Sequence, residues 1–135
     1  MARVFDTSSL MSLCLDDDAP ELSIVFDEHV LDLAFYEAGN VLWKAQTLQD
    51  RLTAEEQSQL ISIVSDLREE VVVQTLDDIG FEAVMDIASE TELTFYDAAH
   101  LTCAIEVDGA LITEDESLRA VADDRITASS VTSFD

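Results

Sequence analysis

Three aspartates stand where a folded chain could put them to chemical use. Asp6 follows the short run Arg3-Val4-Phe5 and is followed by Thr7-Ser8-Ser9. Asp97 comes three positions after Thr94, at the head of an apolar stretch with helical spacing over residues 94–107. Asp115 lies just past Ala110-Leu111-Ile112 and ahead of a short helical pattern at 117–122. Each has an ordinary structural use. Thr94 and Asp97 have the spacing of a capping box, and Asp115 can cap the helix it precedes. The combination suggests more. In an open α/β sheet, ligands bind outside the carboxyl ends of the strands. Asp6 and Asp115 would each sit just past such an end, and Asp97 would open a helix.

Four blocks of sequence carry a family resemblance: FDTSSL at 5–10, FYEAGNVLWK at 35–44, TFYDAAHLTCA at 94–104 and LITEDESL at 111–118. In order and spacing they resemble the motif blocks of PIN-domain proteins, and most closely those of the small archaeal and bacterial VapC-type toxins. The resemblance covers nearly the whole chain. It implies a metal-dependent ribonuclease with a quartet of acids, which here falls on Asp6, Glu37, Asp97 and Asp115. Thr113 matches the hydroxyl residue two positions before the last acid. Taken alone, Glu37 would read as part of an exposed Glu–Lys helix face, because Glu37, Asn40, Val41 and Lys44 share one side of a helix. The resemblance moves Glu37 into the site, with Asn40 and Lys44 as supporting residues.

Four carboxylates in one cleft repel one another, and ionised carboxylates are costly to bury unless paired or metal-bound. The chain has too few cations to neutralise them. A hard divalent ion is the natural counter-charge: Mg²⁺ takes oxygen ligands and keeps waters for phosphate chemistry, and Mn²⁺ can substitute. Asp6 and Asp97 are expected to be the main ligands, with Asp115 completing the set directly or through water. Glu37 would hold a metal-bound water or serve as general base. Thr113 and Asn40 would orient ligands or the scissile phosphate. The four groups should converge closely enough for one hydrated ion to bridge at least three. Tyr96 and His100 read as packing residues, and His29 has no visible partner. Ser8 and Ser9 lack a base in any recognised nucleophile arrangement.

The elements that must position these groups alternate between helices and short apolar strands. Strands are expected near 3–5, 29–32, 71–73, 110–112 and, at an edge, 126–128. Helices are expected over 8–15, 21–26, 34–48, 54–69, 79–90, 94–107 and 117–122. Thr53 to Glu56 forms a capping box ahead of the fourth of these. Leu60, Ile61, Ile63, Val64 and Leu67 give that helix its apolar side, and Phe81, Val84, Met85 and Ile87 are placed inward on the next. Val71-Val72-Val73 reads as a buried parallel strand. This pattern predicts an α/β fold with a central, mostly parallel sheet of four to five short strands between helices. A three-layer PIN-like arrangement is what the resemblance implies. Residues 1–135 are expected to form a single domain.

Composition narrows the function classes. With 48% hydrophobic residues, three Gly and one Pro, the chain can build a core. No apolar run reaches the roughly 18 residues of a membrane span, and no signal peptide is evident, so a cytoplasmic protein is expected. Cys14 and Cys103 read as buried free thiols, and two Cys with two His make a zinc site improbable. Formal net charge is −24, from 30 acids against six bases, and Lys44 is the sole lysine. The acids are spread along the whole chain, a pattern expected of a halophile's surface, where screening at molar salt quiets self-repulsion. Such a surface suits general RNA binding poorly, because phosphate affinity normally comes from Lys and Arg. Recognition of one particular structured RNA is therefore expected. The toxin-class resemblance also implies a cognate antitoxin and a homodimer. The alternative is a non-catalytic PIN-fold interaction or regulatory module that retains the acids.

Overall fold

A computed structural model describes residues 1–133. Its sheet is built from β1 (Arg3–Phe5), β2 (His29–Leu31), β3 (Val72–Gln74) and β4 (Ala110–Ile112), at or within a residue of the expected runs, and from β5 (Ala128–Ser129), which starts where the strand expected at 126–128 ends. They pair in the order β3-β2-β1-β4-β5, and every pairing is parallel. Successive side chains on a strand point to opposite faces. Val4, Leu31 and Leu111 therefore join one core, while Phe5, Val30 and Ile112 join another on the far side. A parallel sheet needs both faces covered. Helices α1 (Thr7–Leu15), α2 (Leu33–Thr47) and α3 (Ala54–Glu70) cover the Phe5 face through Leu10, Ala34 and Leu67. The one-turn helix α4 (Leu76–Ile79), α5 (Phe81–Thr91), α6 (Phe95–Glu106) and α7 (Glu116–Asp123) cover the Val4 face through Ile79, Val84, Leu101 and Leu118. This is the expected three-layer α/β architecture.

Several local expectations change. Residues 21–26 hold a single 3₁₀ turn at Leu22–Val25. Ahead of the helix expected over 79–90, Leu76–Ile79 forms the separate one-turn helix α4, whose start is fixed by a reciprocal capping box between Thr75 and Asp78. β3 is an edge strand, not a buried one, and Val72 is 42% exposed. On α5 only Val84 is buried, whereas Phe81 and Met85 face outward. On α3 only Leu67 is buried, and Ile61 and Ile63 are exposed. A helical period identifies an apolar stripe but not what covers it. Cys103 is buried, and desolvation pushes its thiol up to about 12. Cys14 is only half-buried, with its thiol also raised by desolvation. No helix among the described residues is long and apolar enough to cross a membrane.

The turn into β4 is a point of close approach. Asp108 takes a left-handed φ of 53°, and the Ala110 N–H then donates to the Ala2 carbonyl at 2.9 Å. A Cβ on Gly109 would lie 2.5 Å from that same oxygen. Gly109→Ala should therefore part β4 from the N-terminus and cost about 1–3 kcal/mol. Thermal unfolding followed by circular dichroism would show this as a melting temperature several degrees lower.

Candidate active site

The strand order turns back at β1: the chain passes from β1 to β2 on one side, and β4 enters on the other. Such a switch point opens a crevice beyond the strand ends. Asp6 leaves β1 into it and Asp115 leaves β4 into it. The Asp6 N–H holds the two ends together by donating to the Ile112 carbonyl at 3.1 Å.

Both acids also begin helices. Asp6 caps α1: its Oδ1 accepts the Ser9 N–H at 2.9 Å and the Ser8 hydroxyl at 2.8 Å. Asp6 as a whole residue is 4% exposed. Asp115 caps α7 by accepting the Leu118 N–H at 3.1 Å. In each case one oxygen does the capping and the other makes no hydrogen bond among the described residues. Two hydroxyls bind the loops to each other. Ser8 lies 3.1 Å from Thr113 and accepts the Glu114 N–H at 2.9 Å, and Thr113, fully buried, accepts the Asp115 N–H at 3.1 Å.

Asp97 differs from an ordinary capping acid. Thr94 caps α6 by accepting the Asp97 N–H at 3.2 Å, but Asp97 gives no bond back to Thr94. At Thr53–Glu56 and at Thr75–Asp78 the reciprocal bond does form. The Asp97 carboxylate is left unbonded among the described residues, and its carboxyl is raised above the usual carboxylate range. Desolvation is the largest cause, Asp115, Asp6 and Glu37 add to it, and His100 opposes it.

Glu37, in the second turn of α2, is held by one oxygen. Its Oε1 accepts the Thr7 hydroxyl at 2.6 Å and the His100 Nε2–H at 2.9 Å. Its carboxyl lies below the usual range, chiefly through the His100 hydrogen bond. His100 is 2% exposed, and its Nδ1 is buried without a partner among the described residues.

The four acids line one cleft of about 570 Å³, together with Tyr36, Asn40 and His100, and no lysine or arginine lines it. Asn40 stands exposed at the rim. Lys44 does not reach the cleft; it lies beyond Val41 in an adjoining hollow. The acids share the cleft without closing into a ligand cage, since no three His, Cys, Asp or Glu side chains among the described residues are grouped to hold a metal ion. The donor set still fits a hard divalent ion in kind: four carboxylates, each with at least one oxygen that makes no hydrogen bond among the described residues, and no lysine or arginine beside them.

Sequence reasoning gave no site role to Thr7, to Ser8, which it rejected as a nucleophile, or to His100, which it read as packing. His100 falls one helical turn after Asp97, but its partner Glu37 is 63 residues away, so no local pattern announces the pair. Tyr96 is 59% exposed at the cleft mouth and is not a packing residue. His29 does have a partner, with its Nδ1 3.3 Å from the Gln74 side-chain nitrogen.

The model of the family described as "PIN domain" matches residues 3–124. Exonuclease VapC9 of Pyrobaculum aerophilum is 34% identical over 91 residues, 67% of this chain and 64% of that protein, so the match spans just under two thirds of this relative. Ribonuclease VapC3 of the same organism is 28% identical over 123 residues, 87% of this chain and 92% of that protein. Among solved structures, PAE2754 from Pyrobaculum aerophilum superposes with a TM-score of 0.71 at 27% identity, covering 98% of this chain and 85% of that one. FitAcB from Neisseria gonorrhoeae, at 14% identity and a TM-score of 0.64, covers 98% and 99% and shares the fold.

Proposed function

This chain belongs to the PIN-domain family and is of the VapC type, and we propose that it is a divalent-metal-dependent endoribonuclease, the toxin of a toxin–antitoxin pair. The observation that carries the reading is the cleft itself. Asp6, Glu37, Asp97 and Asp115 arrive there from four separate segments, and no lysine or arginine lines it. The names of the relatives, an exonuclease and a ribonuclease, support nuclease chemistry. The rest of the proposal is one domain over residues 1–135, working in the cytoplasm as a homodimer with a cognate antitoxin.

In this reading Asp6, Asp97 and Asp115 would hold Mg²⁺ or Mn²⁺. When bound, such an ion would activate a water and offset charge on the transferring phosphoryl group. The residues have distinct tasks. Thr7 and His100 occupy Oε1 of Glu37, which leaves Oε2 to orient the attacking water and accept its proton. Ser8 and Thr113 fix Asp6 relative to Asp115. Asn40 offers an amide donor to a phosphate oxygen at the rim.

Two substrates test the reaction. A circular single-stranded RNA, incubated with Mg²⁺ at molar KCl, is opened by an endonuclease and untouched by an exonuclease. Total cellular RNA, with its fragments mapped, reveals the target. If neither RNA is cut with Mg²⁺ or Mn²⁺, the enzyme reading falls and the chain is an interaction module.

The Glu37 clamp makes a separate prediction. His100→Gln keeps an N–H donor near the position of Nε2 and should retain most of the activity. His100→Phe removes the donor and should lower kcat by about tenfold or more, with little change in KM. Equal losses in both variants would make His100 a packing residue only.

A further inference from the structure

The cleft binds a polyanion in the reading above, yet no lysine or arginine lines it, so any such side chain that meets the strand's other phosphates must lie elsewhere on a surface of net charge −24. Of the six lysine and arginine residues, four are already engaged. Arg3 pairs with Glu28 at 3.0 Å and Arg125 with Glu90 at 3.1 Å. Arg119 donates to the Thr113 carbonyl at 2.8 Å, and Arg68 stacks 5.0 Å above the Phe35 ring. The side chains of Lys44 and Arg51 make no ion pair among the described residues, and these two line the same hollow of about 390 Å³.

Local structure brings them together. α2 ends with the Leu48 and Gln49 N–H groups both donating to the Lys44 carbonyl at 3.0 Å. Asp50 then takes a left-handed φ of 52°, and the chain doubles back so that the Arg51 N–H donates to the Ala45 carbonyl at 2.7 Å. A left-handed aspartate is an uncommon choice, and here it sets Arg51 beside Lys44. Asp16 lines the same hollow, but its carboxylate accepts the Ser12 hydroxyl at 2.7 Å and lies outside ion-pair reach of both cations. The hollow meets the acid cleft at Val41, which lines both.

We propose that Lys44 and Arg51 form a phosphate subsite for the RNA strand, spaced from the acids by the face of α2. Glu37, Asn40, Val41 and Lys44 share that face, and seven helical residues span about 10 Å, the reach of a nucleotide or two of extended strand. Asn40 and Val41 floor the path between. The strand crosses the acids with its scissile phosphate, and a neighbouring phosphate meets the two cations. This deepens the nuclease reading and rests on it.

Binding and cleavage separate the two ideas. The Asp97→Asn protein, which holds substrate without cutting it, is titrated with fluorescent single-stranded oligoribonucleotides. Anisotropy is followed across the KCl range in which circular dichroism shows an intact fold. Lys44→Gln and Arg51→Gln should each weaken binding by about two- to fivefold. Each should also flatten the dependence of log K on log[KCl] by about 0.7. Lys44→Arg should restore the slope. Oligonucleotides trimmed one nucleotide at a time should abruptly lose their sensitivity to Lys44→Gln once the strand no longer reaches the hollow. Arg125→Gln makes the same charge change at a residue already paired with Glu90 and should leave the slope unaltered.

An unchanged slope in the double variant overturns the subsite. So does an equal change with Arg125→Gln, which would make the effect one of overall charge. A change in oligomeric mass with unaltered RNA affinity also overturns it, and would make the hollow a protein interface. Failure of the parent protein to cut any RNA is read in a different assay and bears on the nuclease reading alone.

Discussion

Asp97→Asn should lower metal-dependent RNA cleavage by at least about a hundredfold while leaving the fold intact. The side chain gives nothing to the capping of α6: Thr94 caps by accepting the Asp97 N–H, which the amide variant keeps. What is lost is a carboxylate that burial and three neighbouring acids already hold at a cost. That cost fixes the sign of a second readout. A carboxyl raised in the folded state stabilises the fold while protonated, and the benefit fades as pH rises through its folded pKa. At neutral pH in EDTA the ionised group is a net burden, so Asp97→Asn should melt slightly higher than the parent, and the gap should close as pH falls into the carboxylate range. Glu37 has the opposite sign. Its lowered carboxyl gives stability above its unfolded pKa that is lost on acidification, so Glu37→Gln should melt lower at neutral pH. Cleavage by Asp97→Asn at the parent rate would reduce Asp97 to a helix-start residue. Asp32→Asn, Asp108→Asn and Glu114→Gln are controls. Glu114 is occupied with the Val131 N–H at 2.6 Å, and Asp108 has a left-handed backbone that asparagine tolerates.

Transfer from molar KCl to dilute buffer should abolish the cooperative thermal transition, or lower its midpoint by at least about 10 °C. Thirty acids against six bases give the folded chain a self-repulsion that screening suppresses when the Debye length is near 3 Å and restores when it is near 30 Å. The packed structure offers little internal relief, with only two Arg–carboxylate pairs among the described residues. Scanning calorimetry across a KCl series checks this, and a midpoint that ignores salt would remove the halophile reading. Sucrose at equal osmolality separates screening from general exclusion effects.

The sheet was legible because β1 to β4 each hold a short apolar run next to a turn, and the alternation of faces follows from chain geometry; the two-residue β5, Ala128–Ser129, overlaps the expected 126–128 by one residue. The capping box at Thr53–Glu56 marks a helix start in the sequence as clearly as in the structure. The same chemistry at Thr75–Asp78 went unread, because four residues are too few to show a helical period. Phe81 and Met85 were placed inward because periodicity reveals a stripe and says nothing of its cover. Three of the acids could be located from strand ends and helix starts, and Glu37 only through the family resemblance. Its clamp by Thr7 and His100 was out of reach, because both contacts join residues remote in sequence. The pairing of Lys44 with Arg51 was equally hidden, since it depends on a reversal at Asp50 that composition does not encode.

Three of the four acids sit at the start of a helix: Asp6 before α1, Asp97 in the first turn of α6, and Asp115 before α7. Aligned peptide dipoles give each of those ends roughly half a unit of positive charge. The cleft therefore has a source of positive potential that is not a side chain, and it is made of backbone. Such a lining cannot be lost by substitution, cannot be acetylated, and needs no lysine. A lineage could exchange its surface bases for acids one by one and leave the electrostatic footing of its active site unaltered.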